Sequence, residues 1–175
     1  MKIILETERL ILREIELSDA DGMFELDSDP SVHRYLGKNV LTNKEQAIDI
    51  IHSVRHQYAA YGIGRWAVMD KNTKEFIGWT GLKFVTTLTN QHINYYDIGY
   101  RLLPRYWGKG IATESAQASL TYAFETLHLK EIFGAASCEN TSSNKILKKL
   151  GLRFVETFYY KDILCNWYAI KSCNS

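Results

Sequence analysis

The stretch Pro104-Arg105-Tyr106-Trp107-Gly108-Lys109-Gly110-Ile111-Ala112-Thr113-Glu114 constrains this chain more than any other. It leaves a strand-like run, Ile93 to Leu103, and enters a helical pattern at about Ile111. A strand and a helix joined end to end are a building unit of α/β folds. Gly108 and Gly110 let the backbone approach a ligand closely. The first-turn amides of the helix have no carbonyl partners within it, so with the positive helix end they suit a pyrophosphate. Hydrogen bonds to a charged acceptor contribute about 1.5–3 kcal/mol each. Arg105 adds a fork of charged donors.

Other phosphate loops fit less well. A nucleotide triphosphatase loop closes on Gly-Lys-Ser/Thr, but Gly110 is followed by Ile111 and Ala112. A dinucleotide fingerprint wants Gly or Ala where Thr113 stands, and it normally follows an early strand. The competing reading is a glycine-rich turn that binds nothing.

The rest of the chain supplies the frame. Arg9 to Arg13 reads as a strand. Ser18 with Asp21 opens a helix through about Leu26, and Ser31 to Leu36 reads as a short helical turn after Asp29-Pro30. Thr42 with Glu45 forms a capping box for a helix whose Ala47, Ile48, Ile51, Val54 and Tyr58 share one face, ending at Gly62. Strands follow at Trp66 to Met69, Glu75 to Val85 and Ile93 to Leu103, with Gly78 and Gly81 marking bulges or close backbone approach. The helix from Ile111 precedes a strand (Ile132 to Ser137), a short helix (Ser142 to Leu150, closed by Gly151) and two aromatic-rich strands. Consecutive strands at both ends imply antiparallel pairing, and the central βαβ unit implies a parallel pair.

A length of 175 residues, a hydrophobic share of 46% and no linker or repeat predict one domain spanning residues 1–175. Interspersed charges with a net of +1 argue against a nucleic-acid partner. Lys145, Lys148 and Lys149 form the only tight basic cluster, and it reads mostly as a solvated helix face. No apolar run approaches the roughly 18 residues needed to span a bilayer, and the opening Met-Lys-Ile-Ile-Leu-Glu does not read as a secretory signal. Cys138, Cys165 and Cys173 form no C-x-x-C pair, so a cytoplasmic setting is the expectation. His52 and His56 lie four apart on a helix but lack a third ligand, and no metal is expected. The Cys-Asn-Trp-Tyr strand near the C-terminus reads as exposed and is a candidate for pairing across a homodimer.

Arg105, Gly108, Gly110 and Ala112 form Arg-x-x-Gly-x-Gly-x-Ala, which resembles the acetyl-CoA signature of the GNAT N-acetyltransferase superfamily. The resemblance runs nearly end to end and narrows to the RimJ/RimL-like ribosomal-protein acetyltransferases. It is carried by Glu6-Thr7-Glu8-Arg9-Leu10 with Leu12-Arg13 and Asp19-Ala20, by Asp97-Ile98-Gly99-Tyr100, by Tyr106 to Gly110 with Ala112-Thr113-Glu114, and by Asn140-x-x-Ser143 through Lys149-Leu150-Gly151. It implies an α/β (α+β) GNAT fold: a mixed, twisted, mostly antiparallel sheet of about seven strands, its central parallel pair splayed, with helices on both faces. It implies direct attack of an amine on acetyl-CoA without an acyl-enzyme. The backbone of Leu102 and Leu103 would pair with the pantetheine arm, and amides of Gly108, Lys109, Gly110, Ile111, Ala112 and Thr113 would hold the pyrophosphate. Asn140 would bond the pantetheine side, with Ser143, Asn144 and Lys145 along the path from thiol to phosphate.

The nucleophile must be a neutral amine. A terminal α-amine, with a pKa near 7.7–8.0, is about one-tenth neutral at pH 7, whereas a lysine is neutral in fewer than about one molecule per thousand. Asp97 aligns with a position that is often glutamate in the family and is the candidate base, acting on the amine directly or through a water, the shorter aspartate favouring the water; otherwise it is a polar residue on a half-exposed strand. The tyrosine acid that many relatives carry four residues before the glycine matching Gly151 is replaced by Leu147. The RimL-like pattern points to Ser143 instead, to orient a water or donate a hydrogen bond to sulfur; its alternative is a capping role in the first helical turn. Trp66, Trp79, Tyr95 and Tyr96 either line an acceptor pocket or pack the core. A protein N-terminal α-amine is the expected acceptor, with a small amine such as an aminoglycoside-like antibiotic or polyamine second. A deeply acidic pocket would favour the small amine. A non-catalytic acetyl-CoA-binding module is the reading from another class.

Overall fold

The computed structural model describes residues 2–37 and 39–173. Met1, Lys38, Asn174 and Ser175 of the expected 1–175 domain lie outside the described residues. The strands are β1 (Ile3–Glu6), β2 (Leu10–Glu14), β3 (Arg65–Asp70), β4 (Phe76–Val85), β5 (Tyr95–Leu102), β6 (Glu131–Ser137), β7 (Arg153–Tyr160) and β8 (Ile163–Lys171). The helices are α1 (Ala20–Ser28), α2 (Lys44–Tyr61), α3 (Ile111–Glu125) and α4 (Thr141–Lys149). One sheet runs β1-β2-β3-β4-β5-β6-β8-β7. Every neighbouring pair is antiparallel except β5 and β6.

The sheet has one strand more than the expected seven. The addition is β1, a four-residue edge strand whose side chains are half or fully exposed, so it carries no core-facing alternation to announce it. Caps also move by a residue or two. The capping box of α2 is Asn43 with Gln46, not Thr42 with Glu45, because Asn43 accepts from the Gln46 amide while Thr42 uses the Gln46 side chain as acceptor. Ahead of α1, Glu16 and Asp19 form the box instead of Ser18 with Asp21. Residues 31–37 make turns and no helix.

Alternation along the strands sorts the core into two layers. On β3, Trp66 and Val68 pack with Ile111 of α3, whereas Ala67 joins Ala20 and Met23 of α1 and Ala47 and Ile51 of α2. The larger core lies under α3 and α4, where Leu82, Ile98, Ile132 and Tyr168 meet Ala116, Leu120, Ala123 and Leu147. Each fully buried Leu or Ile there contributes about 1.5–3 kcal/mol. At Gly78 a side chain is excluded, since a Cβ would lie 2.1 Å from the Arg101 carbonyl oxygen. This close approach accompanies the register shift that places Val68 opposite Gly78 and Met69 opposite Phe76.

The reading of the Cys-Asn-Trp-Tyr strand as an exposed edge is corrected here. Cys165-Asn166-Trp167-Tyr168 lies in β8, which is paired on one side to β6 and on the other to β7. Trp167 and Tyr168 are each only 1% exposed, so this strand has no free edge to offer a second copy. The edge is β7, which the sequence pattern did not distinguish from its neighbour.

Candidate active site

The glycine segment folds into an open-ended cradle. A 3₁₀ turn, Pro104–Tyr106, follows β5, and the Trp107 indole donates back to the Leu102 carbonyl at 2.8 Å. Gly110 then precedes α3 at φ 75°, a conformation that suits glycine, and no side chain caps the helix. Glu114 is the first amide here to find a backbone acceptor, the Gly110 carbonyl at 3.0 Å. The amides of Gly108, Lys109, Gly110, Ile111, Ala112 and Thr113 have no acceptor among the described residues. A cluster of free donors at a helix start fits a diphosphate.

Arg9 braces this cradle, a role the sequence did not announce. Its guanidinium donates to the Lys109 carbonyl at 2.9 Å and pairs with Glu114 at 2.6 Å, and Thr7 donates to the same carboxylate at 2.6 Å. Burial works against the Glu114 charge, but the bonds from Thr7 and Arg9 outweigh it and hold its pKa below the ordinary value. Arg105 is turned elsewhere: it pairs with Glu25 of α1 and stacks over Tyr106. It would have to exchange Glu25 for a phosphate to act as the sequence pattern implies.

The groove for a long ligand lies between β5 and β6. Their ladder has a single registered pair, Asp97 with Phe133, beyond which the strands diverge. Leu103 donates its amide to Ile77 of β4 at 2.9 Å. Because hydrogen-bonding direction alternates along a strand, Leu102 turns its backbone groups toward the groove. Of the two expected pantetheine contacts, Leu102 is therefore the better placed, and its carbonyl already holds Trp107.

Asp97 sits at the head of the groove on the α1–α2 face. Its Oδ2 accepts from Arg65 at 2.6 Å, and the same guanidinium donates to the Asp97 and Gly81 carbonyls. Burial pushes the Asp97 carboxyl above its ordinary pKa, with the Arg65 charge pulling the other way. Oδ1 has no partner among the described residues. Trp79 lies under both Arg65 and Arg101, each 5.1 Å from its ring centre, and Arg101 pairs with buried Asp27 at 2.5 Å. Tyr95 belongs to an aromatic cluster with Phe133, Trp167 and His92. Trp66 is core, packed edge-on against Tyr122, and Tyr96 packs on Phe84.

The other face of the groove holds α4. Asn140 caps it, accepting from the Ser143 amide at 3.1 Å, which frees the Ser143 hydroxyl from a capping duty. That hydroxyl lies 3.0 Å from the Tyr100 phenol, and the phenol also donates to the Ser143 carbonyl at 3.1 Å. Burial pushes the Tyr100 phenol up to about 12. Asn144 is a buried strut: it donates to the Ser137 and Asn140 carbonyls and accepts from Asn166 and Tyr168, which fills its side-chain bonding capacity and leaves none for a cofactor. Lys145 is exposed on α4, and Leu147 is core. A shallow concavity of about 480 Å³ between α3 and the end of β8 shares no lining residue with either half of the site.

A splayed parallel pair, an uncapped helix start beside it, and a half-buried carboxylate at the head of the groove are the parts that a coenzyme A-dependent acyltransferase needs. The model of the acetyltransferase (GNAT) domain matches residues 9–153. The uncharacterized N-acetyltransferase YoaA of Bacillus subtilis is 35% identical over 150 residues, covering 86% of this chain and 82% of its own. Among solved structures, a GNAT-family acetyltransferase from Bacillus anthracis superposes with a TM-score of 0.79 at 27% identity, covering 98% of each chain. RimL, a ribosomal L7/L12 α-N-protein acetyltransferase solved with coenzyme A, has a TM-score of 0.83 at 17% identity, covering 99% of this chain and 100% of its own. The chain belongs to the GNAT acetyltransferase family and is an N-acetyltransferase that uses acetyl-CoA.

Proposed function

We propose that this enzyme acetylates a protein N-terminal α-amine, in the manner of the RimJ/RimL-like enzymes. The observation that carries this reading is the charge of the acceptor side. Asp97 is matched by Arg65, and Asp27 by Arg101, so the α1–α2 face is not an acidic pocket for a polycation. A single carboxylate shared with a guanidinium is a modest base, and an α-amine needs the least deprotonation of the common acceptors.

Acetyl-CoA, when bound, supplies an activated acyl thioester. The amides of Gly108 to Thr113 hold its diphosphate, with Arg9 fixing their loop through the Lys109 carbonyl. Leu102 presents backbone to the pantetheine arm, and the Asn140 side-chain amide nitrogen, which has no partner among the described residues, faces the same task. Asp97 takes the proton from the acceptor ammonium through a water on Oδ1. Ser143 donates a hydrogen bond to the departing sulfur.

The test is a competition among peptides. One carries a free α-amine and no lysine, a second is Nα-blocked with one lysine, and spermidine is the third acceptor. Thiol release and mass spectrometry should show the first acetylated at least tenfold faster than the others. Faster turnover of spermidine would replace this reading with the small-amine one, and no turnover of any amine would favour a binding module.

A further inference from the structure

We propose that Tyr100 is a positioning residue for acyl transfer, holding the Ser143 hydroxyl ready to donate to the departing sulfur. The inference deepens the reading above and rests on its placement of Ser143. Tyr100 and Asp97 are three apart on β5, so they project to opposite faces of the sheet. The base thus reaches the groove from the α1–α2 face, and the two hydroxyls reach it from the α4 face.

The phenol has one proton and two nearby acceptors, the Ser143 carbonyl at 3.1 Å and the Ser143 Oγ at 3.0 Å. With the proton on the carbonyl, the Ser143 hydroxyl donates to the phenol oxygen. As negative charge grows on sulfur, the Ser143 hydrogen turns toward it and the Tyr100 hydrogen turns to the Ser143 Oγ. No proton leaves either residue and only hydrogen bonds change. Burial keeps the phenol protonated up to about 12, so the chain remains a donor throughout an ordinary assay. Leu147, which stands where the family resemblance would place a tyrosine acid, is 1% exposed and has no polar group to offer.

A double-mutant cycle on the full chain tests this, with acetyl-CoA and the best peptide acceptor. Ser143→Ala should lower kcat about 30-fold or more and Tyr100→Phe about tenfold. Tyr100→Phe should have no further effect in the Ser143→Ala background, and the KM for acetyl-CoA should stay within about twofold of wild type. Equal effects of Tyr100→Phe in both backgrounds, or no effect in either, would overturn the proposal while leaving Ser143 in place. An unchanged kcat in Ser143→Ala would remove both. Wild-type kcat offers a check that needs no substitution: it should show no alkaline limb up to about pH 10. A limb near pH 9 would contradict a chain that stays protonated.

Discussion

The two ends of β5 are prepared in opposite ways. Past its C-terminal end, the amides of Gly108 to Thr113 have no partner among the described residues, and only the carbonyl side of the loop is tied down, by Arg9. Near its start, Asp97 is already engaged by Arg65, and farther along the same face of the strand Arg101 is engaged by Asp27. One end waits for a ligand's charge; the other has balanced its own. An unsatisfied cradle gains strongly from a diphosphate because its amides break no bond within the protein to bind it. A balanced pair gains little from binding another charge, so it suits a group that must hold and release a proton.

That contrast can be broken from either end. The largest effect is expected at the balanced end: Asp97→Asn should lower kcat at least about 100-fold with acetyl-CoA affinity unchanged in a calorimetric titration. Arg65→Gln comes next. Removing the guanidinium that pulls the Asp97 pKa down should raise that pKa further. Since the base acts ionised, the acid limb of kcat/KM should then move to higher pH, and the unpaired carboxylate should lower stability by about 3 kcal/mol in chemical denaturation.

At the open end, Gly110→Val forces a β-branched residue to φ 75°. It should weaken coenzyme A binding about tenfold while leaving kcat at saturation near wild type, with about 1–2 kcal/mol lost from folding. Smallest is Glu114→Gln, which loosens Arg9 and should raise the acetyl-CoA KM a few-fold. The Glu114 pKa is lowered in the folded state, so its stabilisation is complete above the unfolded value and fades as pH falls through the folded one. A pH titration of thermal stability should show wild type losing its advantage over Glu114→Gln below about pH 4.5.

The same contrast separates what the sequence reveals from what it hides. The cradle is legible because its parts are contiguous: glycines at fixed spacing, a strand before them and an amphipathic helix after. The parallel pair is legible for the same reason, as a βαβ order. The brackets that complete the site come from far along the chain. Arg9 meets Glu114, Arg65 meets Asp97, and Tyr100 meets Ser143, none related by a helical or strand period. Asn144 shows the converse: a polar residue in the right neighbourhood reads as a ligand until its four internal bonds are seen. β1 and the edge position of β7 stayed hidden because exposed strands bury too little to leave an apolar alternation.

Amide hydrogen exchange, followed residue by residue with and without coenzyme A, tests the central claim most directly. Without ligand, the Gly108 to Thr113 amides should exchange nearly as fast as an unstructured chain, while Ala116 and Leu120 farther along α3 are protected. With coenzyme A the fast set should slow by at least about tenfold, and pantetheine, which carries no phosphate, should leave it fast. Amides already protected in the free protein, or unchanged by saturating coenzyme A, would contradict a diphosphate cradle at the start of α3.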